Sequence, residues 1–262
     1  MVAASKMRRA QQAAVAVRPF VRLLYAMQRE AVTHAIDFEH PLLETRTVRR
    51  RAVVLIAADR GLCGALNSNV LRLAAKYDPA STVFLTAGRK AAQFVARTRR
   101  ELAADFLYGD TPRFPEARAM AAMARDMFVK GEVDEVRVVA TRFVNTLTQQ
   151  PVDMEFLPIG EITSVNIPDA PSLEEDPKHP AFVFEPDVAA VLDYLLPQYL
   201  NIYIYIVMLN AKASEQSARM VSMKSATDSA KDLIRALKLE YNKLRQGNIT
   251  RELLEIAGGQ AE

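Results

Sequence analysis

The sequence predicts an α/β protein in which helices from the two ends of the chain form an antiparallel coiled coil beside a small, mostly parallel sheet. Three observations predict this arrangement. All thirteen prolines lie between Pro19 and Pro197, so the end of the chain has no proline to break a helix. Apolar residues recur at heptad spacing near both termini. Between the termini, short aliphatic runs alternate with helical stretches. The predicted parts are residues 1–45, 46–196 and 197–262.

The composition excludes several classes of protein. Half of the 262 residues are apolar and a quarter are charged, as in globular proteins. The longest nearly apolar run, residues 200–209, is too short to span a bilayer, so we expect no direct membrane insertion. The single cysteine, Cys63, cannot form an intramolecular disulfide. A net charge of +3 is too small to indicate a nucleic-acid partner by itself.

The first helix is predicted from a heptad pattern with a basic outer face. The pattern comprises Ala3, Met7, Ala10, Ala14, Val17, Val21, Leu24, Gln28, Ala31 and Ala35. Pro19 should kink this helix or divide it into two pieces. Its excess of Lys and Arg suits nucleic acid, an anionic surface or an acidic protein, and charge alone does not distinguish these partners.

The middle segment is predicted to be a Rossmann-like α/β domain. Strand patterns occupy residues 52–57, 82–86 and 135–140, and helical patterns occupy residues 65–77, 89–97 and 115–130. An edge strand is possible at 151–158. The Pro-rich residues 168–180 form a surface loop, residues 182–184 are extended, and Pro186 opens the next helix.

One long helix is predicted from residue 198 to about residue 257. This stretch has no proline and only one internal glycine, Gly247. A mostly apolar heptad pattern runs along it, comprising Leu209, Ala213, Gln216, Met220, Met223, Thr227, Ala230, Ile234, Leu237, Tyr241 and Leu244. The small residues of this pattern would allow a partner helix to approach closely.

Neither a catalytic residue nor a cofactor site nor a metal site is predicted. The loop at residues 59–67 lies between a strand and a helix, where phosphate-binding loops are found, but it lacks both GxGxxG and Gly-Lys-Ser/Thr. A tight turn is therefore favoured over a nucleotide site. A nucleophilic role for Cys63 lacks a patterned histidine, and three scattered histidines offer no pair of metal ligands.

Five segments of the sequence resemble the gamma subunit of F-type ATP synthases. They are residues 1–11 (MVAASKMRRAQ), 59–64 (DRGLCG), 213–220 (ASEQSARM), 241–246 (YNKLRQ) and 249–259 (ITRELLEIAGG). The resemblance implies that the terminal helices form a shaft inside a ring of alpha and beta subunits. It also implies that the α/β domain is the foot of that shaft, standing on the membrane ring.

The resemblance further implies a central rotor without catalytic activity of its own. Such a shaft transmits torque between the proton- or sodium-translocating membrane c-ring and the catalytic alpha/beta head. The implied partners are the alpha, beta and epsilon subunits and the c-ring, with no nucleic acid. The implied location is peripheral, on the cytoplasmic face of a bacterial plasma membrane. Two alternatives are a nucleotide-dependent α/β enzyme with a helical oligomerisation arm and a basic coiled coil that binds nucleic acid.

Individual residues also match positions in that family. The resemblance implies a role in shaft coupling for Glu215 and Arg219. It implies contact with the membrane ring for Phe182 and Glu185. The implied beta-subunit contacts are Arg245, Gln246, Thr250 and Glu252. Related chains carry a further helical segment before the Met1 motif, so we expect the apolar stripe with Leu233, Leu237 and Leu244 to lack cover from this chain.

Overall fold

The computed structural model describes most of the chain, namely residues 5–10, 12, 16, 19, 27, 39–159, 185 and 187–258. The chain divides into two compact units, Met1–Met220 and Val221–Glu262. The first unit contains a five-stranded sheet and the first part of a long C-terminal helix. In the second unit, the described residues are all helical.

The sheet is mixed, with four parallel strands and one antiparallel edge strand. The strands are β1 (Arg51–Ile56), β2 (Thr82–Ala87), β3 (Glu101–Phe106), β4 (Glu135–Phe143) and β5 (Gln149–Leu157), in the spatial order β3-β2-β1-β4-β5. Only the β4–β5 pair is antiparallel. The mostly parallel α/β prediction is confirmed, and the possible edge strand is β5. Strand β3 was not predicted from the sequence.

Both faces of the central strand β1 are covered, which explains its uninterrupted aliphatic sequence. Val54 and Ile56 belong to a core that includes α3 (Phe114–Val129) and part of the C-terminal helix. Val53 and Leu55 face the opposite core, to which α1 (Leu66–Ala74) and α2 (Arg89–Arg97) contribute. Because β1 to β4 run in parallel, their carboxyl ends meet at one edge of the sheet.

The C-terminal helix, α4, extends from Val188 to Gly258. It begins before Pro197 rather than after it, so the predicted start is wrong. The Asp187 carboxylate accepts a hydrogen bond from the Ala190 N–H at 2.8 Å and caps the first turn. Leu192, Leu196 and nearby apolar side chains are buried in the main core, and this burial offsets the hydrogen bond lost at Pro197. The predicted opening at Pro186 lies outside the described residues.

The same helix contains the most apolar stretch of the described residues. An 18-residue window within Val188–Ile256 has a mean hydropathy of 1.2, and 67% of that window is buried inside the protein. The core helix of a globular domain has this character, because its apolar side chains pack against a sheet. The burial of these residues therefore accounts for the hydropathy of the window.

The N-terminal helix is described at only a few positions. Residues 5–10 are helical, Ala10 is buried, and Met27 packs against the main core. Lys6 Nζ lies 2.5 Å from an Asp110 carboxylate oxygen and so connects this helix to the α/β domain. Most of the predicted antiparallel pairing, and the extended segment at residues 182–184, fall outside the described residues.

Candidate functional site

The loop after β1 is fixed in place by hydrogen bonds to the two helices that follow it, one through a helix side chain and one through a helix backbone N–H. The Asn67 side-chain oxygen accepts a hydrogen bond from the Ala58 N–H at 3.1 Å, and the Asp59 carboxylate accepts one from the Arg89 N–H at 3.1 Å. The backbone turns through left-handed conformations at Leu62, with φ of 63°, and at Gly64, with φ of 59°. The prediction of a tight strand-to-helix turn is confirmed.

The exposed side of this loop contacts helix α4. An Arg219 guanidinium nitrogen lies 3.4 Å from the Arg60 carbonyl oxygen and 3.5 Å from the Gly61 carbonyl oxygen. The same nitrogen lies 2.7 Å from a Glu215 carboxylate oxygen. The loop therefore presents carbonyl oxygens to a cation, whereas a phosphate-binding loop presents its N–H groups to an anion.

Cys63 lies in the apolar part of the same contact. Its side chain is buried and packs with Leu66 of α1 and Ala218 of α4. Burial raises the pKa of the Cys63 thiol. A nucleophilic cysteine has a lowered pKa and some exposure, so Cys63 has the environment of a structural residue.

A buried lysine on α4 brings together charges from three parts of the fold. The Lys212 side chain is 1% exposed, and its Nζ lies 3.0 Å from Glu215 on the same helix. It also lies 3.9 Å from Asp59 in the loop after β1 and 4.0 Å from Asp110 in the segment after β3. Its ammonium is 4.9 Å from the centre of the Tyr108 ring. We call this group the junction cluster: Asp59, Tyr108, Asp110, Lys212, Glu215 and Arg219.

Protonation states within the junction cluster follow from its surroundings. A hydrogen bond from Lys6 holds the pKa of the Asp110 carboxyl below its usual range, so Asp110 is ionised at neutral pH. Burial raises the pKa of Tyr108 well above its usual value, and its hydroxyl donates to the Ala57 carbonyl oxygen at 3.1 Å. Counting Lys6, three cations face three carboxylates, which suits a joint between elements rather than acid–base chemistry.

Comparison with known proteins identifies the family of the chain. The family profile described as ATP synthase matches residues 1–261. The ATP synthase gamma chain of Opitutus terrae is 42% identical over 270 residues, covering 99% of this chain and 90% of the relative. The chain belongs to the ATP synthase gamma chain family. The gamma chain of Heliobacterium modesticaldum is 41% identical, with coverage of 100% and 90%.

Solved structures share the fold at lower identity. One is from the central stalk and c-ring of Tetrahymena thermophila mitochondrial ATP synthase, with a TM-score of 0.62 and 23% identity over 87% of this chain and 96% of that chain. Another comes from the Euglena gracilis mitochondrial ATP synthase, with a TM-score of 0.60 and 19% identity over 99% of this chain and 92% of that chain. At these identities the match shows the fold alone, which agrees with gamma-family membership.

The gamma-family positions predicted for shaft coupling are within the junction cluster. Glu215 is 3% exposed and holds Lys212 with one carboxylate oxygen and Arg219 with the other. Glu215 and Arg219 were predicted from the sequence, but Lys212 was missed. The sequence does show Lys212 three residues before Glu215, which is the spacing of a pair on one helix face. Tyr108 and Asp110 could not be found, because β3 itself was not predicted.

The remaining gamma-family positions are exposed or lie outside the described residues. Gln246 and Thr250 are four residues apart on one face of α4, and the Thr250 hydroxyl donates to the Gln246 carbonyl oxygen at 2.9 Å. Arg245 and Glu252, seven residues apart, share a different face. All four side chains are exposed. Glu185 is also exposed, and Phe182 lies outside the described residues.

The carboxylates of the junction cluster pair with lysines of the same chain. Among the described residues, no group of three or more His, Cys, Asp and Glu side chains is arranged to hold a metal ion. The three carboxylates of the junction cluster face Lys212 or Lys6, so their charge is already balanced. The site is therefore a charged joint between the loops at the sheet edge and α4.

Proposed function

We propose that this chain is the central rotor shaft of a bacterial F-type ATP synthase. The observation that carries the proposal is the match of nearly the whole chain to ATP synthase gamma chains at about 40% identity. In this role the chain transmits torque between a proton- or sodium-driven membrane ring and the catalytic alpha/beta head. Its partners are the alpha, beta and epsilon subunits and the c-ring.

The exposed apolar surface of the unit Val221–Glu262 supports this role. Leu233, Leu237 and Leu244 are 60%, 55% and 62% exposed, and Tyr241 is 66% exposed. An apolar surface of this kind on a soluble protein usually marks an interaction site. The ring of alpha and beta subunits is the partner that would cover it.

The mechanism is a contact-driven change in the populations of catalytic-site conformations. A helix has different side chains on its different faces, so a turning shaft offers each beta subunit a different surface in sequence. Each surface stabilises the open or the closed form of the adjacent catalytic site to a different degree. The chain itself is non-catalytic in this scheme, because nucleotide chemistry takes place in the beta subunits.

Named residues carry the proposed contacts. Arg245 and Glu252 can form charge-assisted hydrogen bonds with beta-subunit loops, and Gln246 and Thr250 can exchange neutral ones. Phe182 and Glu185 belong to the proposed contact with the polar loops of the membrane ring. In this proposal the α/β domain is the foot of the shaft, and the chain is peripheral on the cytoplasmic face of the plasma membrane.

Rebuilding the complex tests this function. A complex depleted of its gamma subunit is supplied with the full chain or with a chain that ends at Met220, and ATP synthesis is measured under an imposed proton or sodium gradient. We expect the full chain to restore synthesis and the shortened chain to fail, because it lacks the part of the shaft inside the head. Failure of the full chain to restore synthesis in an assembled complex would contradict the proposal. ATP hydrolysis by the isolated chain would favour the enzyme alternative instead.

A further inference from the structure

We infer that Lys212 fixes the rotational register of α4 against the α/β domain and thereby transmits torque across this joint. The inference rests on the proposed rotor function and assigns a specific residue to it. Lys212 is a positioning residue, since it acts on the orientation of a helix rather than on nucleotide or ions.

The position of Lys212 within the fold connects several segments of the chain. Its ammonium is the one group in the junction cluster within 4.0 Å of carboxylates from both sheet-edge segments, through Asp59 after β1 and Asp110 after β3. Glu215 holds it from the next turn of α4. Asp110 also binds Lys6 of the N-terminal helix. The charges around Lys212 therefore connect both terminal segments to the α/β domain.

The burial of the Lys212 charge has an energetic cost. Lys212 is 1% exposed, and removing an ammonium from water is costly even when carboxylates surround it. Replacing a buried ion pair with apolar side chains of similar volume is often neutral or stabilising. Stability of the fold alone therefore does not account for a lysine here. A role in fixing one orientation does account for it.

The ion pairs of Lys212 add a requirement of position to the apolar packing around them. The packed core resists rotation of α4 as a whole, and the charges specify in addition which side chain of α4 faces the sheet-edge carboxylates. The Lys212 ammonium is buried whereas the Asp59 and Asp110 side chains are 26% and 59% exposed, and the attraction between them is lost when they separate. Successive residues of an α-helix point about 100° apart, so rotating α4 by one residue would carry Lys212 away from Asp59 and Asp110. The junction cluster thus resists the motion that torque would impose on the joint.

The test compares two lysine variants in the assembled ATP synthase in sealed vesicles. Lys212→Met removes the buried charge and keeps the side-chain length, and Lys76→Met is the control, because Lys76 is exposed beyond the end of α1. ATP hydrolysis and ATP-driven proton or sodium uptake are measured together. We expect Lys212→Met to continue hydrolysing ATP while ion uptake per ATP falls by about fivefold or more. Lys76→Met should match the wild type.

A second variant removes the charges of the two sheet-edge partners and leaves Lys212 and Glu215 in place. Asp59→Asn together with Asp110→Asn should lower ion uptake per ATP in the same direction. Wild-type uptake per ATP in either the lysine variant or the double aspartate variant would overturn the inference. Failure of Lys212→Met to assemble would also overturn it, because Lys212 would then serve folding. If the wild-type chain itself supports no ion uptake, the proposed function fails. If the wild-type chain supports uptake and the variants match it, only the inference about Lys212 fails.

Discussion

At the scale of single residues, Gly88 shows how closely the loops at the sheet edge approach one another. Its φ is 92°, and a Cβ added at this position would lie 2.1 Å from the Ala57 carbonyl oxygen. The same carbonyl oxygen also accepts a hydrogen bond from the hydroxyl of Tyr108, a member of the junction cluster. Gly61, in the loop after β1, differs on both counts, because its backbone is not left-handed and an added Cβ would meet nothing within 4 Å.

The first prediction compares these two glycines. Gly88→Ala should lower the free energy of unfolding of the chain by more than ~2 kcal/mol, because it combines a backbone collision with an unfavourable φ. Gly61→Ala should change it by less than ~0.5 kcal/mol. Urea denaturation followed by circular dichroism measures both. If the two variants were equally stable, Gly88 would not lie as close to the Ala57 carbonyl oxygen as the structure shows.

The junction cluster could be predicted only in part from sequence. Glu215 and Arg219 were accessible through the family resemblance, and the turn at Cys63 through its two glycines. Lys212 was not predicted, because it lies outside the heptad pattern from which the last helix was predicted. A lysine beside such a pattern is usually exposed to solvent. Only the fold brings Asp59 and Asp110, which are far apart in sequence, to within 4.0 Å of its ammonium.

At the scale of secondary-structure elements, local pattern predicted every strand of the sheet except β3. β1 and β2 are rich in apolar and β-branched residues and lie inside the sheet, where nearly all their residues are buried. β3 is the sequence ELAADF on the edge of the sheet, mostly exposed and without a β-branched residue, so nothing local marks it as a strand. The early start of α4 depends on packing against the main core, which the sequence around Pro197 does not reveal.

Two buried serines of α4, Ser214 and Ser217, provide the second prediction. Among the described residues, the Ser214 and Ser217 hydroxyls are buried and have no hydrogen-bond partner in the structure. Ser217→Ala should therefore raise the free energy of unfolding by about 1 kcal/mol, since it removes an unsatisfied polar group. Ser225→Ala, at an exposed position of the same helix, should change it by less than ~0.5 kcal/mol. Destabilisation by Ser217→Ala would show that this hydroxyl has a partner.

At the scale of the whole molecule, the two compact units differ in how far the side chains of α4 are buried. α4 residues 206–217 are all buried within the first unit, whereas nearly every described side chain of the second unit is exposed. Its ion pairs, such as Lys231–Asp228 and Arg235–Asp232, are exposed pairs within one helix and contribute little to stability. The exposed apolar side chains of the second unit are the surface that the rotor proposal assigns to contact with other subunits.

The third prediction concerns two polar residues of that unit. Gln246→Leu and Thr250→Val should reduce ATP synthesis by the rebuilt complex, because in the proposed contact each would leave a beta-subunit group unpaired at a cost of ~1–3 kcal/mol. The isolated variants should unfold within ~0.5 kcal/mol of the wild type, since both side chains are exposed. Gln93→Leu, exposed in the foot, is the matched control for Gln246→Leu. Normal synthesis in the assembled double variant would show that these contacts have no function.

Direct observation of rotation tests the central claim. Lys76→Cys adds an exposed thiol to the foot, and the buried Cys63 with its raised pKa should remain unlabelled, so a bead can be attached through biotin at one site. The labelled chain is assembled with its own alpha and beta subunits, which are fixed to glass, and ATP is added. The account predicts that the bead turns continuously in one direction. ATP hydrolysis by complexes whose beads do not turn would contradict it.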